Sequence, residues 1–528
     1  MSDYDAVVIG AGPNGLVAAN LLADAGWSVL VVEAAAEPGG AVRSAEITAE
    51  GFGTDLCSAF YPMGVASPVL AGLDLHRYGL RWRHARDVLA HLFPDDEIAV
   101  LSRNVERTAA SVARFAPDDA RAWRDELALW QRIGGPLLDA LLSPFPPIRG
   151  TAALARSTTG SEAIRLLRRF LLPARRFGQE TFSGDGARML LAGNAVHSDL
   201  GPDDAAGALF GWLLTMLGQT VGFPAPAGGA ARITDALVRR LTDRGGTIEC
   251  GREITGILVQ DGRGVGVRDA HGDRIRATRA VLADVPAPTL YRQLLGEEHL
   301  PARLLRDLRH FQWDDGTVKV DWALSGPIPW SNPAASGAGT VHLGVDMGGL
   351  AIYHTQLRNG TLPDHPFVLL GQMTTTDPSR SPPGTEAVWA YTHVPRDLVW
   401  TADRRERFAD RIQAVVERHA PGFTGRILGR AVQSPAELEQ HNPALVGGAI
   451  NQGTPALHQQ LIFRPTPGLG RADTPVDRVF LAGASAHPGG AVHGAPGANA
   501  ARAALARDGA GGGMYRTVMR SLQHTVLR

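Results

Sequence analysis

Three glycines and one carboxylate carry the first recognisable chemistry. Gly10, Gly12 and Gly15 fall at the G-x-G-x-x-G spacing, in the run Gly10-Ala11-Gly12-Pro13-Asn14-Gly15. The first glycine permits a tight turn, the second lets backbone approach a pyrophosphate, and the third lets a helix pack close to a strand. Glu33 ends the next apolar run, where a carboxylate suits a ribose hydroxyl and repels a ribose 2′-phosphate. The motif alone does not separate FAD from NAD. Far down the chain, Gly483-Ala-Ser-Ala-His487-Pro-Gly-Gly490-Ala491-Val492-His493 forms a second glycine-rich turn feeding a helix.

These residues need elements to hold them. Asp5 to Ile9 reads as a strand, Leu16 to Ala25 as a helix whose positive end faces the phosphates, and Trp27 to Val32 as a second strand. A strand near Arg478 leads into the closing turn. Between them, 76–224 reads mostly helical, with a Pro-rich break at Ser143 to Ile148. Arg232 to Arg244 reads as a helix, and Glu253 to Ile257 as one of several short strands turning at Asp261-Gly262 and His271-Gly272. Thr317 to Leu324 and Ala387 to His393 read as strands, and Arg404 to His419 as a helix. The uncharged stretch Ala205 to Ala231 is broken by glycines and prolines, which favours a buried helix beside an apolar cavity over a membrane span.

At 528 residues the expectation is two intertwined domains. A net charge of −1 gives no electrostatic case for nucleic acid. Cys57 and Cys250 are the only cysteines and form no C-x-x-C pair, which argues against a dithiol reductase and a structural zinc. No metal site is expected. With no charged region ahead of residues 6–9, no secretory signal is read, and a reducing, cytoplasmic setting is expected.

Together these pieces resemble the flavin-dependent family of phytoene desaturases and related carotenoid and retinoid oxidoreductases. They also resemble its branch named for a pyridine nucleotide-disulphide oxidoreductase domain (domain-containing protein 2). The resemblance rests on Gly10 to Glu33, Pro38-Gly39-Gly40, Gly51-Phe52 with Asp55, the Gly228-Gly229 helix start and the Gly483 to Ala500 block. The two cysteines give no support to the disulphide in that branch's name.

The resemblance implies an α/β fold. Its doubly wound, Rossmann-like FAD-binding domain would be of the glutathione-reductase/amine-oxidase type, built from three segments with an inserted α+β substrate domain. The FAD segments would be 1–75, 225–300 and 441–508. The substrate parts would be 76–224 and 301–440, with a C-terminal amphipathic tail at 509–528. Gly10, Gly12, Pro13, Asn14 and Gly15 would cradle the pyrophosphate, with Gly39 and Gly40 beside them and Glu33 on the adenosine ribose. Backbone around Ile254 would meet the adenine. Gly483, Gly490, Ala491 and Val492 would lie by the flavin, where a helix starting near Gly494 would stabilise negative charge on the reduced ring. Many relatives place arginine directly after the Gly-Gly pair. This chain has Ala41, with Arg43 two residues on as the candidate for that role. A cysteinyl-linked flavin in the final block is excluded.

In this chemistry the flavin carries the hydride, and the protein binds, orients and excludes water. Lys319 is the sole lysine. Its strand resembles the one that places a lysine beside flavin N5 in amine-oxidase-type relatives. A surface position, or a pair with Asp321, is the competing reading. His487 and His493 flank the flavin turn: His493 is the candidate facing substrate, and His487 reads as a structural hydrogen-bonding group. Cys57, Ser58 and Tyr61 are candidates to line the pocket, as are Trp212, Met216 and Phe223, with plain packing as the alternative. Arg165, Arg168, Arg169, Arg175 and Arg176 alternate with Leu166, Leu167, Phe170, Leu171, Leu172 and Phe177, a pattern that fits an anionic membrane surface or a solvated helix face. In the tail, Tyr515, Val518, Met519, Leu522 and Val526 form a stripe for docking on its own subunit, on a second copy or on membrane. Gly509 to Gly513 is the expected hinge before it.

The leading function is FAD-dependent hydride transfer from a hydrophobic, isoprenoid or polyene substrate, with desaturation the favoured direction. Flavin amine oxidase is the alternative. A flavin-containing binding or scaffold protein without turnover is the third reading, since its site motifs would look the same. The intact motifs at both ends argue only against a flavin-free binding protein, the state of the chaperones of prenylated GTPases that resemble this fold.

Overall fold

The computed structural model describes residues 3–527. Short apolar runs buried on both faces become parallel strands, because only a covered sheet hides residues without alternation. Strands Thr247–Glu249, Val29–Val32, Asp3–Ile9 and Arg274–Ala283 lie side by side in that order. Val479–Leu481 adds in parallel to the end of Arg274–Ala283, pairing Val281 with Val479. The start of Arg274–Ala283 pairs instead with an antiparallel hairpin, Ile254–Gln260 and Arg263–Asp269. That hairpin turns at Asp261-Gly262, both with positive φ, as a two-residue loop of this hand requires.

Successive residues of the first strand serve opposite sides. Ala6 and Val8 pack on helices Pro13–Asp24, Ala231–Asp243 and Ala495–Asp508. Val7 and Ile9 pack with Leu290, Tyr291 and Val479. The opening and closing segments meet where helix Ala495–Asp508 crosses helix Pro13–Asp24. A Cβ on Gly497 would lie 1.9 Å from the Asn14 carbonyl oxygen, so this contact admits only glycine.

The second sheet has seven strands in the order Ile427–Gln433, Gly316–Leu324, Glu386–Val394, Val368–Gln372, Ala338–Leu343, Asp87–Leu92, Ile98–Leu101. Helices between 105 and 220 cover one face, and Ala402–His419 covers the other. Helices do dominate 105–220, but residues 87–101 supply two strands that the helical reading of 76–224 missed. Asp87–Leu92 is wholly buried and so shows no alternation to announce it. The other expected strands and helices form within three residues of their expected ends.

The uncharged stretch forms the helix Gly207–Thr220, largely buried. Among the described residues no helix is long and apolar enough to cross a membrane. The tail forms helix Gly512–Val526 and docks on its own chain. Tyr515 donates to Asp473, and Arg516 pairs with Asp477. Val518, Leu522 and Val526 stay exposed, so the expected stripe is only partly used. Gly512 packs tightly on the Arg507 carbonyl, which opposes a free hinge there.

Candidate functional site

The nucleotide loop leaves strand Asp3–Ile9 at Gly10, whose φ is +92°. A Cβ on Gly15 would come within 2.2 Å of the Gly10 carbonyl oxygen. Gly12 caps the helix and Pro13 opens it, where a missing N–H costs nothing. The Glu33 carboxylate reaches back over the loop, accepting from Ala11 N–H at 2.7 Å and Ala35 N–H at 2.9 Å. The segment that leads to Ile254 lies alongside: Arg252 N–H donates to the Glu33 carbonyl. Gly39 N–H donates to the Ala11 carbonyl, tying the Gly39-Gly40 turn to the loop. Arg43 turns inward on that turn, donating to the Gly40 carbonyl at 3.2 Å and the His441 carbonyl at 2.8 Å.

The closing turn is strained and over-determined. Ala491 and Val492 both have positive φ, which a β-branched residue adopts only when its surroundings impose it. His493 is one such constraint. Its Nδ1 accepts from Ala495 N–H at 3.1 Å, and its ring also bonds the Gly490 backbone. Ser67 donates to its carbonyl at 2.6 Å. Burial pushes the His493 imidazole down to about 4, so it stays neutral. With Nδ1 so engaged, His493 braces the turn, and it also lines the cavity beside it. His487 spends Nε2 on the Ser143 carbonyl, while its buried Nδ1 has no partner.

From this turn a cavity of about 360 Å³ opens toward helix Gly207–Thr220. Met63, Leu141, Leu209, Phe210, Leu213, Leu214 and Phe223 form its apolar wall, and Cys57 and Ser58 line it near Ala41. Tyr61 lies behind, with its hydroxyl on the Ser58 carbonyl. Trp212 and Met216 are core instead, with Trp212 Nε1 donating to Glu126. Trp389 and Tyr391 stack in the far wall with ring centroids 5.8 Å apart. Gly371 makes room for the indole, since a Cβ there would come within 2.3 Å of the Trp389 ring. No Asp, Glu or Lys lines this cavity among the described residues.

Lys319 lies directly across the sheet from Tyr391, and Asp321 across from Trp389. The lysine is buried and ion-paired with Asp321, and it does not reach the cavity wall. The pair with Asp321 is therefore the arrangement that forms. Burial pushes the nearby Cys57 thiol up to about 11, with Lys319 offsetting part of the effect, so Cys57 stays protonated. Deeper still, His393 meets Asp199 at 2.9 Å. Burial alone would lower this imidazole; the Asp199 carboxylate overrides it and holds it at about 9.

Three residues were not singled out from sequence. Asp284, just after strand Arg274–Ala283, accepts from Gly15 N–H at 2.8 Å. Arg464 and Asp314 grip the loop 451–454 beside the closing turn. Arg464 is hidden in an arginine-rich chain, and neither aspartate belongs to a motif.

The flavin-containing amine oxidoreductase model matches residues 14–505. The chain belongs to that family. Within it, the chain is 27% identical over 544 residues to the rat (Rattus norvegicus) pyridine nucleotide-disulfide oxidoreductase domain-containing protein 2, covering 94% of this chain and 93% of that one. It is 26% identical over 549 residues to the neurosporene-forming phytoene desaturase of Cereibacter sphaeroides, covering 96% and 95%. A redesigned putrescine oxidase shares the fold at TM-score 0.61 and 16% identity, covering 96% and 100%.

Members of this family use FAD, and this chain is an FAD-dependent oxidoreductase. Its residues fit the cofactor. The glycine loop and Glu33 suit the pyrophosphate and ribose. Around the closing turn, Asn451 Nδ2, Gln452 Oε1, Arg464 Nε and His487 Nδ1 are buried without partners. Buried polar atoms are rarely left so, and a polar heterocycle satisfies such a set. Bound there, the flavin supplies the hydride acceptor.

Proposed function

We propose that this enzyme desaturates an apolar, isoprenoid or polyene substrate, hydride leaving one carbon for the flavin and a proton leaving its neighbour for water. The observation that carries the reading is the cavity wall: among the described residues it is mostly aliphatic and aromatic, holds no carboxylate, and has the Arg464 guanidinium beside the closing turn as its one permanent charge. A cationic amine entering such a cavity would lose its hydration without gaining a counter-charge. The likeness over nearly the whole chain to a protein named phytoene desaturase supports the same reading. Within this proposal Lys319 serves the fold of the site, and His493 serves the flavin turn. Gly10, Gly12, Pro13, Asn14, Gly15 and Glu33 bind the adenine half of FAD, joined by Gly39, Gly40, Arg43 and the Ile254 backbone. Gly483, Gly490, Ala491 and Val492 serve the flavin half.

One observation favours a flavin amine oxidase: the stacked pair Trp389 and Tyr391 offers two aromatic faces to a cation. The two readings part under anaerobic mixing of the yellow holoenzyme with detergent-solubilised polyenes or with primary amines. Bleaching of the flavin by a polyene alone is expected. Bleaching by amines alone would overturn the isoprenoid reading.

The proposal includes contact with a lipid surface, where such substrates reside. Ile148, Ile164 and Leu167 are 73%, 72% and 63% exposed, so most of each apolar side chain faces outward. Arg149, Arg156 and Arg165 are exposed around them.

A further inference from the structure

Arg464 is 1% exposed, and its hydrogen bonds among the described residues all go to backbone carbonyls. Nη1 donates to Thr454 at 3.0 Å; Nη2 donates to Asn451 at 3.2 Å and Ala484 at 2.8 Å. Its Nε has no partner. The guanidinium packs on the closing turn: a Cβ on Gly489 would lie 3.4 Å from its Cζ. On the other side of the same loop, Asp314 accepts from Asn451 N–H at 2.7 Å and Gly453 N–H at 2.9 Å. One segment, 451–454, thus has its carbonyls held by a cation and its N–H groups by a carboxyl.

A buried guanidinium without an ion pair is costly, and the fold keeps it where the cavity wall contains no anion. The helix N-terminus at Ala495 adds positive potential to the same turn. Burial holds His487 and His493 neutral, so neither competes as a cation. We propose that Arg464 is the fixed positive charge that stabilises the negatively charged, reduced state of the flavin ring, and that Asp314 sets its strength from across the loop. Both act on the flavin through the field and through loop 451–454, as positioning residues. The inference rests on FAD binding and is independent of which substrate is oxidised.

The test is the two-electron midpoint potential of the holoenzyme, measured by dye equilibration at pH 8, where Asp314, pushed up to about 6, is ionised. Arg464→Gln is expected to lower the equilibrium constant for reduction by about tenfold, as for a unit charge about 10 Å away at an effective dielectric of about 20. That is a shift of about 30 mV to more negative potential. Asp314→Asn removes the opposing charge and is expected to shift the potential the other way, while Arg464→Lys stays within about twofold of wild type. A purely structural role would move neither potential or move both in one direction. Arg464→Gln within twofold of wild type, or Asp314→Asn shifting the potential negative, overturns the proposal. Should Arg464→Gln fail to retain flavin, Asp314→Asn decides alone, and an unchanged potential in that variant overturns it.

Discussion

The Asp284 carboxylate accepts a hydrogen bond from the N–H of Gly15, 269 positions away in the chain, at 2.8 Å. It is the side-chain partner that the helix Pro13–Asp24 lacks locally, since its own N-cap is Gly12. Burial, with the nearby Glu33 adding to it, pushes this carboxyl from 3.8 up to about 7. An acid whose pKa rises on folding holds its proton more tightly in the folded chain. Its contribution therefore favours folding at low pH and is lost progressively as pH climbs from 3.8 to about 7. Asp284→Asn keeps an acceptor and removes the titration. The variant should gain on wild type by roughly 2 kcal/mol between pH 5 and pH 8. Urea unfolding of both proteins across that range checks it, and parallel pH profiles would exclude the assignment.

The contact between Gly497 and the Asn14 carbonyl joins the two halves of the cofactor site. Gly497→Ala must push helix Ala495–Asp508 away from helix Pro13–Asp24, at a cost of about 1–3 kcal/mol. Purified Gly497→Ala should carry well under one FAD per chain, read from the ratio of flavin to protein absorbance. Gly513→Ala, which meets nothing within 4 Å, is the control and should keep full occupancy.

Lys319 and Asp321 stand or fall together. Lys319→Met leaves Asp321 buried and unpaired, which should cost about 3–5 kcal/mol. Combining Lys319→Met with Asp321→Leu should recover most of that loss, because neither charge is then left buried alone. Turnover of the double variant then separates the roles. Near-native turnover is expected for a structural pair; a stable double variant without turnover would return Lys319 to the chemistry.

Lipid contact is tested by replacing the exposed face of helix Gly160–Leu171. Ile164→Glu with Leu167→Glu should reduce co-sedimentation with anionic vesicles at least about tenfold, since two apolar side chains are lost and two negative charges added. Turnover of detergent-solubilised substrate should be unchanged. Undiminished vesicle binding would move the contact elsewhere on the surface.

Some of this was legible in the chain alone. The opening nucleotide unit announces itself within about thirty residues, because turn, helix and strand there depend on backbone freedom and local periodicity. Gly10, Gly12, Gly15 and Glu33 carry that signal without help from distant residues. The closing turn is equally local, with Pro488-Gly489-Gly490 ahead of an alanine-rich helix. The sequence also determined that no C-x-x-C chemistry exists here, since two lone cysteines cannot supply it.

Tertiary structure decided what those elements do to one another. Lys319 is the sole lysine from sequence, but only folding shows its charge spent on Asp321. His493 is a substrate-facing candidate from sequence, but only the fold shows its Nδ1 held by the Ala495 N–H. Asp284, Asp314 and Arg464 carry no motif, because their partners are backbone groups of other segments, and backbone groups are the same at every residue. Strand Asp87–Leu92 lacks alternation because both of its faces are covered by elements far away in the chain. The cavity wall is likewise assembled from residues 41, 57–63, 141–142, 197–223, 340, 389–391 and 450–493. No local window contains that wall, so its missing carboxylate is a property of packing alone.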